Sequence, residues 1–194
     1  MAGLTRADLY SLEQYAEERN AFRDRVMAHK KDRRVTLGPN ATLYFEDRLT
    51  IQYQIQEMLR AERTFEGGAI QEELDAYNPL IPDGRNLKAT LMLEYADEKE
   101  RRLALERLVG IEDYVWVRVS GHDPVYAIAD EDLERDTPDK TSAVHFLRFE
   151  LTSEMIRAAK KGATLAMGID FPAYQYSVEA LPENIRASLT RDLG

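Results

Sequence analysis

The residue types and spacings closest to chemistry are carboxylates beside a histidine. Glu62 and Glu66 lie one helical turn apart in "TIQYQIQEMLRAERTFE" (50–66), Glu73 follows on the next short helix, and His29 ends the helix before. Carboxylate oxygens with an imidazole make a ligand set that hard and borderline divalent metals accept. A metal held by Glu62, Glu66 and His29, with Glu57 or Glu73 in support, would supply an electrophile that the side chains lack. That defines one reading, a metal-dependent enzyme. The di-iron bundle pattern pairs two Glu-x-x-His motifs, and this sequence contains none.

The helix that carries Glu62 poses a second question. Advancing 100° per residue from Ile55 keeps Ile51, Met58 and Leu59 within about 60° of one direction, as a core stripe requires. Glu62 falls within about 20° of that direction. An ionised carboxylate on a buried stripe is costly unless it is paired or coordinated. Three readings fit: a pair with Arg33 or Arg34 from the preceding segment, a solvent-edged helix end, or the metal. The pair is the leading expectation, because an arginine satisfies a buried carboxylate with two parallel hydrogen bonds. It requires Glu62 to be at least half buried.

Arg33 and Arg34 belong to "HKKDRR" (29–34). This stretch completes a helix whose negative end it complements, or else forms a docking patch of Lys30, Lys31, Arg33 and Arg34 for an acidic partner or a phosphate. His122 sits in the turn "SGHDP". His145 shares a strand face with Leu147 and Phe149, which reads as a satisfied, sheet-packed histidine. Tyr174 and Tyr176 share one face of another strand.

These groups need elements to position them. Thr5 with Asp8 forms a capping-box variant, stapled by Leu4 and Leu9, and predicts a helical region reaching about Arg33, with Phe22, Val26 and His29 on one face. "RVTLGPNATLYFE" reads as a hairpin. The 50–66 helix ends at "EGG" (66–68), and "AIQEELDAY" is a short helix stopped by Asn78-Pro79. Beyond "NPLIPDGRN" the pattern turns to strand alternation. "KATLMLEY", the hairpin "YVWVRV" to "VYAIAD", "AVHFLRFEL", "ATLAMGID" and "AYQYSVE" are strands. Helices begin after Asp97, after Thr152 or Ser153, and at Pro182. "EDLERDTPDKTS" (131–142) is a charged loop. The expected fold class is α+β, a largely antiparallel curved sheet with a helical N-terminal region packed against it. Residues 1–80 form a helix-rich region with one β-hairpin and 81–194 an α+β sheet domain, joined as one continuous globular unit.

Composition bounds the function. The chain has 194 residues, of which 44% are hydrophobic, an ordinary globular balance. The net charge of −9 repels phosphate backbones and argues against nucleic-acid binding. The absence of cysteine excludes disulfides, thiolate catalysis and iron–sulfur clusters held by the chain's own thiolates. No apolar run approaches the roughly 20 residues of a membrane span. "MAGLTRADLYSLEQYAEE" has no apolar core and is not a signal peptide. The expected location is the cytoplasm. No nucleotide, P-loop, GxSxG or HExxH signature is present, and no cofactor is supported by a motif.

Several stretches together resemble a known family: "RVMAHKKDRRVTLGPNATLYFEDRLTIQYQIQEMLRAER", "IQEELDAYNPLIPDG", "LVGIEDYVWV", "AIADEDLERD", "KTSAVHFLRFEL" and "KKGATLAMGIDFPAY". It is an uncharacterised bacterial domain-of-unknown-function family, number 3501, and the resemblance runs in order from about residue 5 to 180. Such proteins are commonly encoded beside a rubrerythrin-like protein and an iron–sulfur oxidoreductase. The resemblance thus implies an electron-transfer or oxidative-stress module. A chain without its own redox centre fits there as an accessory, non-redox partner protein that docks on cofactor-bearing subunits.

Overall fold

In the computed structural model, which describes residues 3–129 and 140–194, local capping chemistry sets the helical elements of the first part. Ser11 opens α1 (Leu12–Lys31). Its hydroxyl accepts from the Gln14 N–H at 3.2 Å, and Gln14 Oε1 accepts the Ser11 N–H at 3.0 Å. The Thr5–Asp8 box caps only a 3-10 turn, Arg6–Asp8, because the chain is extended at Leu9 before the true helix starts. β1 (Arg34–Leu37) and β2 (Ala41–Phe45) form the expected hairpin. Asp47 caps α2 (Arg48–Glu62) by accepting the N–H groups of Leu49 and Thr50 at 3.0 and 2.9 Å. α2 ends at Glu62, before "EGG", and is capped by Arg63, which takes the left-handed conformation with φ 54°. Gly67 and Gly68 are instead the first turn of α3 (Gly67–Tyr77).

The remaining elements are β3 (Asn86–Leu93), α4 (Glu98–Arg107), β4 (Val115–Val119), β5 (Val125–Tyr126), β6 (Val144–Glu150), α5 (Ser153–Lys160), β7 (Leu165–Phe171), β8 (Tyr174–Val178) and α6 (Glu183–Thr190). Residues 131–139 of the charged loop lie outside the described residues. The α+β, antiparallel reading holds, but the strands divide into two four-stranded sheets, ordered β1-β2-β3-β6 and β5-β4-β7-β8. Alternation decides which side chains face inward. Leu43, Leu91, Leu147 and Phe149 of the first sheet and Val115, Val117, Met167 and Ile169 of the second share one apolar cluster, which α4, α5 and α6 extend. Each such side chain contributes about 1.5–3 kcal/mol on burial.

The two sheets meet along both edges. Ile128, just past β5, exchanges two backbone hydrogen bonds with Arg148 of β6, at 2.8 and 2.9 Å. On the other side the Tyr174 hydroxyl of β8 fastens the β1–β2 turn. It donates to Leu37 O at 2.7 Å and accepts the N–H groups of Asn40 and Ala41 at 3.0 and 2.9 Å. The result is a flattened, nearly closed barrel.

α2 covers the outside of the first sheet. Ile51, Ile55 and Leu59 pack with Leu74 of α3 and with Phe146, which faces away from the barrel interior. α1 lies antiparallel on α2, which the side-chain pairs show directly. Tyr15 and Arg19, near the start of α1, reach Glu57 late in α2; Phe22 meets Tyr53; and His29, near the end of α1, reaches Asp47 at the start of α2.

Candidate functional site

Among the described residues, a set of buried ionisable groups forms where the end of α1, the start of α2 and α6 converge. Arg33 follows α1 directly and is 2% exposed. Its Nε donates to Phe45 O at 3.0 Å and its Nη2 to Glu46 O at 3.1 Å. Nη1 reaches Ser188 Oγ at 3.3 Å and Asp192 Oδ1 at 3.4 Å, and Nη2 closes a second bond to Asp192 Oδ2. Asp47 Oδ2 lies 3.5 Å from Nη1 and 2.5 Å from His29 Nε2.

Electrostatics separate the two aspartates. Burial is the largest influence on Asp47 and pushes its carboxyl up. The Arg33 charge, the Thr50 N–H and His29 outweigh it and leave the group below the usual range. Burial wins at Asp192 and holds its carboxyl above the usual range, although Arg33 opposes it and Asp47 adds to it. His29 with Asp47 has the form of a base with its orienting carboxylate. Arg33 has every donor committed to the protein itself, so it has none to offer a substrate. The arrangement fastens α6 to α1 and β2.

The structure separates the residues that the sequence brought together. Glu62 is exposed at the last position of α2. Because α1 and α2 are antiparallel, Arg33 sits at the opposite end of α2. The span from Asp47 to Glu62 is 15 residues, roughly 22 Å of helix. The buried stripe of α2 ends at Leu59, so the final turn projects beyond the core edge. The expected Glu62 pair with Arg33 or Arg34 is therefore replaced by Arg33–Asp192. Glu62 instead stands near Glu73, whose carboxyl is raised first by burial and then by the like charge of Glu62. Among the described residues no three His, Asp or Glu side chains cluster to hold a metal. Glu66 is the N-cap of α3 and exposed, and His29 is engaged by Asp47, so the Glu62, Glu66 and His29 set is not assembled. The docking patch is divided too. Arg33 is buried, Lys30 lies 5.8 Å over the Tyr53 ring, Arg34 lies 5.8 Å over the Tyr44 ring, and Lys31 is exposed.

Glu57 pairs with Arg19 through two bonds of 2.8 Å and accepts the Tyr15 hydroxyl at 2.7 Å. The arginine bonds, then the tyrosine bond, pull its carboxyl down to about 2. His145 is buried and bonds Thr141 Oγ1 at 3.1 Å and Ser142 O at 3.0 Å, with Glu112 at 3.9 Å. His122 stays in its turn, where its N–H donates to Val119 O.

A surface cleft lies at the far end of α2. Its volume is about 410 Å³, and it is bounded by the 3-10 turn, the start of α1, the end of α2 and the segment leading into α3. Arg6, Leu9, Leu12, Leu59, Phe65 and Ile70 are in its walls.

The class that emerges is an α+β protein with a flattened antiparallel barrel, a three-helix outer layer and an internal ionic fastening. The chain belongs to the family described as protein of unknown function (DUF3501), which matches residues 3–193. It is similar to a novel protein of unknown function from Burkholderia pseudomallei K96243. That crystal structure is 55% identical, covers 100% of each chain and superposes with a TM-score of 0.94. No curated protein matches the chain.

Proposed function

We propose that the chain is an accessory protein, without a redox centre of its own, that docks on a cofactor-bearing protein. Its charged groups with recognisable chemistry are spent on internal fastening, as at Arg33 and Glu57. Its surface, by contrast, leaves large apolar side chains in water along one stretch. Leu103 of α4, Val109 just after it and Tyr114 of the following turn are 49%, 39% and 41% exposed. That stretch carries the reading, because exposed apolar groups on one segment mark interaction surfaces. The kind of partner rests on the family resemblance, whose members are commonly encoded beside iron–sulfur oxidoreductase and rubrerythrin-like proteins. The lack of cysteine supports the non-redox role.

Purification of the untagged chain from native cells is expected to recover such a partner. The double substitution Leu103→Glu, Val109→Glu should abolish recovery while shifting stability by no more than about 1 kcal/mol, as exposed substitutions do. A chain that elutes as a lone monomer overturns the reading, and so does a double variant that keeps the partner.

A further inference from the structure

We propose that the cleft beside Arg6 binds a small apolar carboxylate, a medium-chain acyl or aryl acid, with Arg6 taking the carboxylate. The cleft volume, about 410 Å³, lies within the range of small-molecule sites. Its floor is apolar: Leu9 and Ile70 are only partly buried there, beside Leu59 of the helical core. Phe65 stands at the rim, 73% exposed, a ring for which the folded chain provides no cover. A ligand with an apolar body accounts for both.

The polar side of the cleft favours an anion. The guanidinium of Arg6 makes no hydrogen bond or ion pair with any described residue. It lies so close to the first turn of α3 that a Cβ at Gly67 would be 2.7 Å from Nη1. The Glu66 side chain does not cap that turn. A cation held at the positive end of a helix is unfavourable by itself, and an anion between the two relieves it. The carboxylate in the cleft wall does not neutralise Arg6. Glu13 is turned back on its own N–H and on Ser11, which lower its carboxyl. Glu66 follows the lining residue Phe65 directly and disfavours a bare anion, so the apolar body must supply part of the affinity. That distinguishes an apolar carboxylate from inorganic phosphate.

The test uses octanoate, neutral octanol and inorganic phosphate, titrated into the full chain and followed by amide chemical shifts. Octanoate should saturate one site, with shifts centred on residues 6–14, 59 and 64–70. Octanol should bind at least about ten-fold more weakly, the loss of a charge-assisted bond, and phosphate should produce no saturable shift. Arg6→Gln should weaken octanoate about ten-fold. Gly67→Ala, which displaces the free end of Arg6, should weaken it in the same direction. Arg6→Gln should melt like the parent, since Arg6 makes no internal bond, and Gly67→Ala, in the first turn of α3, should melt no lower. Absence of saturable octanoate binding overturns the proposal. So does octanol binding as tightly as octanoate, or affinity unchanged in Arg6→Gln. The outcome is independent of the docking reading, because Leu103 and Val109 play no part in it.

Discussion

At the residue scale, two arginine–carboxylate pairs differ in depth, and depth decides what each contributes. The Arg33 and Asp192 side chains are 2% and 6% exposed, and the remaining donors of Arg33 are bound to carbonyls. Asp192→Ala removes the carboxylate that binds both Nη atoms and leaves Arg33 only Asp47, 3.5 Å from Nη1, so it should cost up to about 3–5 kcal/mol. In a chain of this size each kcal/mol lowers the melting temperature by roughly 2–4 °C. A loss below about 1 kcal/mol would show that α6 is not held by this pair. The Arg19–Glu57 pair is 28% and 25% exposed, so solvent screens it, and Glu57→Gln should cost about 1 kcal/mol despite its two-bond geometry. It carries a pH signature. The Glu57 carboxyl is depressed from 4.5 to about 2 in the fold. Its stabilisation is therefore complete above pH 4.5 and is lost as pH falls toward 2. Urea unfolding at pH 5.5 and at pH 3 should show a smaller acid loss in Glu57→Gln than in the parent. Equal losses would remove Glu57 from the acid response.

At the scale of elements, the β1–β2 turn shows how two sheets are fastened. Gly38 has φ +74°, and a Cβ there would lie 2.5 Å from the Tyr176 ring and 2.8 Å from the Tyr174 hydroxyl. Gly110 also has a positive φ, +85°, but its Cβ would meet nothing within 4 Å. Both alanine variants carry the backbone strain, about 1–2 kcal/mol; only Gly38→Ala also pushes β8 from the turn. Gly38→Ala should therefore be the more destabilising by at least about 1 kcal/mol; equal denaturation midpoints would mean that the β8 contact does not matter. Elements were largely legible in the sequence because they are local. Period-two alternation marks β3, β6 and β7, and Asp97 and Thr152 cap α4 and α5 as their residue types require. The candidate site was not legible, because its partners are far apart in the chain. Arg33 meets Asp192 and Leu37 meets Tyr174 across separations of 159 and 137 residues. Nothing in the periodicity of α1 or α2 gives their relative direction, so the sequence paired Arg33 with the wrong end of α2. Arg63 hid the true end of α2, since a left-handed arginine leaves no signal that a glycine would.

At the scale of the whole molecule, the first 80 residues and the rest interlock. Their hairpin supplies two strands of the first sheet, where β2 pairs with β3 along five residue positions. Val35, Leu37, Leu43 and Phe45 lie in the same cluster as Leu165, Met167 and Ile169 of the second sheet. Arg33 ties the end of α1 to α6. Removing the first 80 residues would break the β2–β3 ladder and expose Phe146, so neither part has a low-cost route to opening alone. The chain should then unfold as one cooperative unit. The single tryptophan makes this measurable. Trp116 is 5% exposed on β4 and packs over Gly168 of β7, so its fluorescence reports the second sheet. Circular dichroism at 222 nm draws most of its signal from the outer layer, since α1, α2 and α3 hold 46 of the 72 α-helical residues described. The two thermal transitions should coincide within about 2 °C, less than the shift that 1 kcal/mol produces. Loss of the helical signal several degrees before the tryptophan signal would divide the molecule at "NPLIPDGRN".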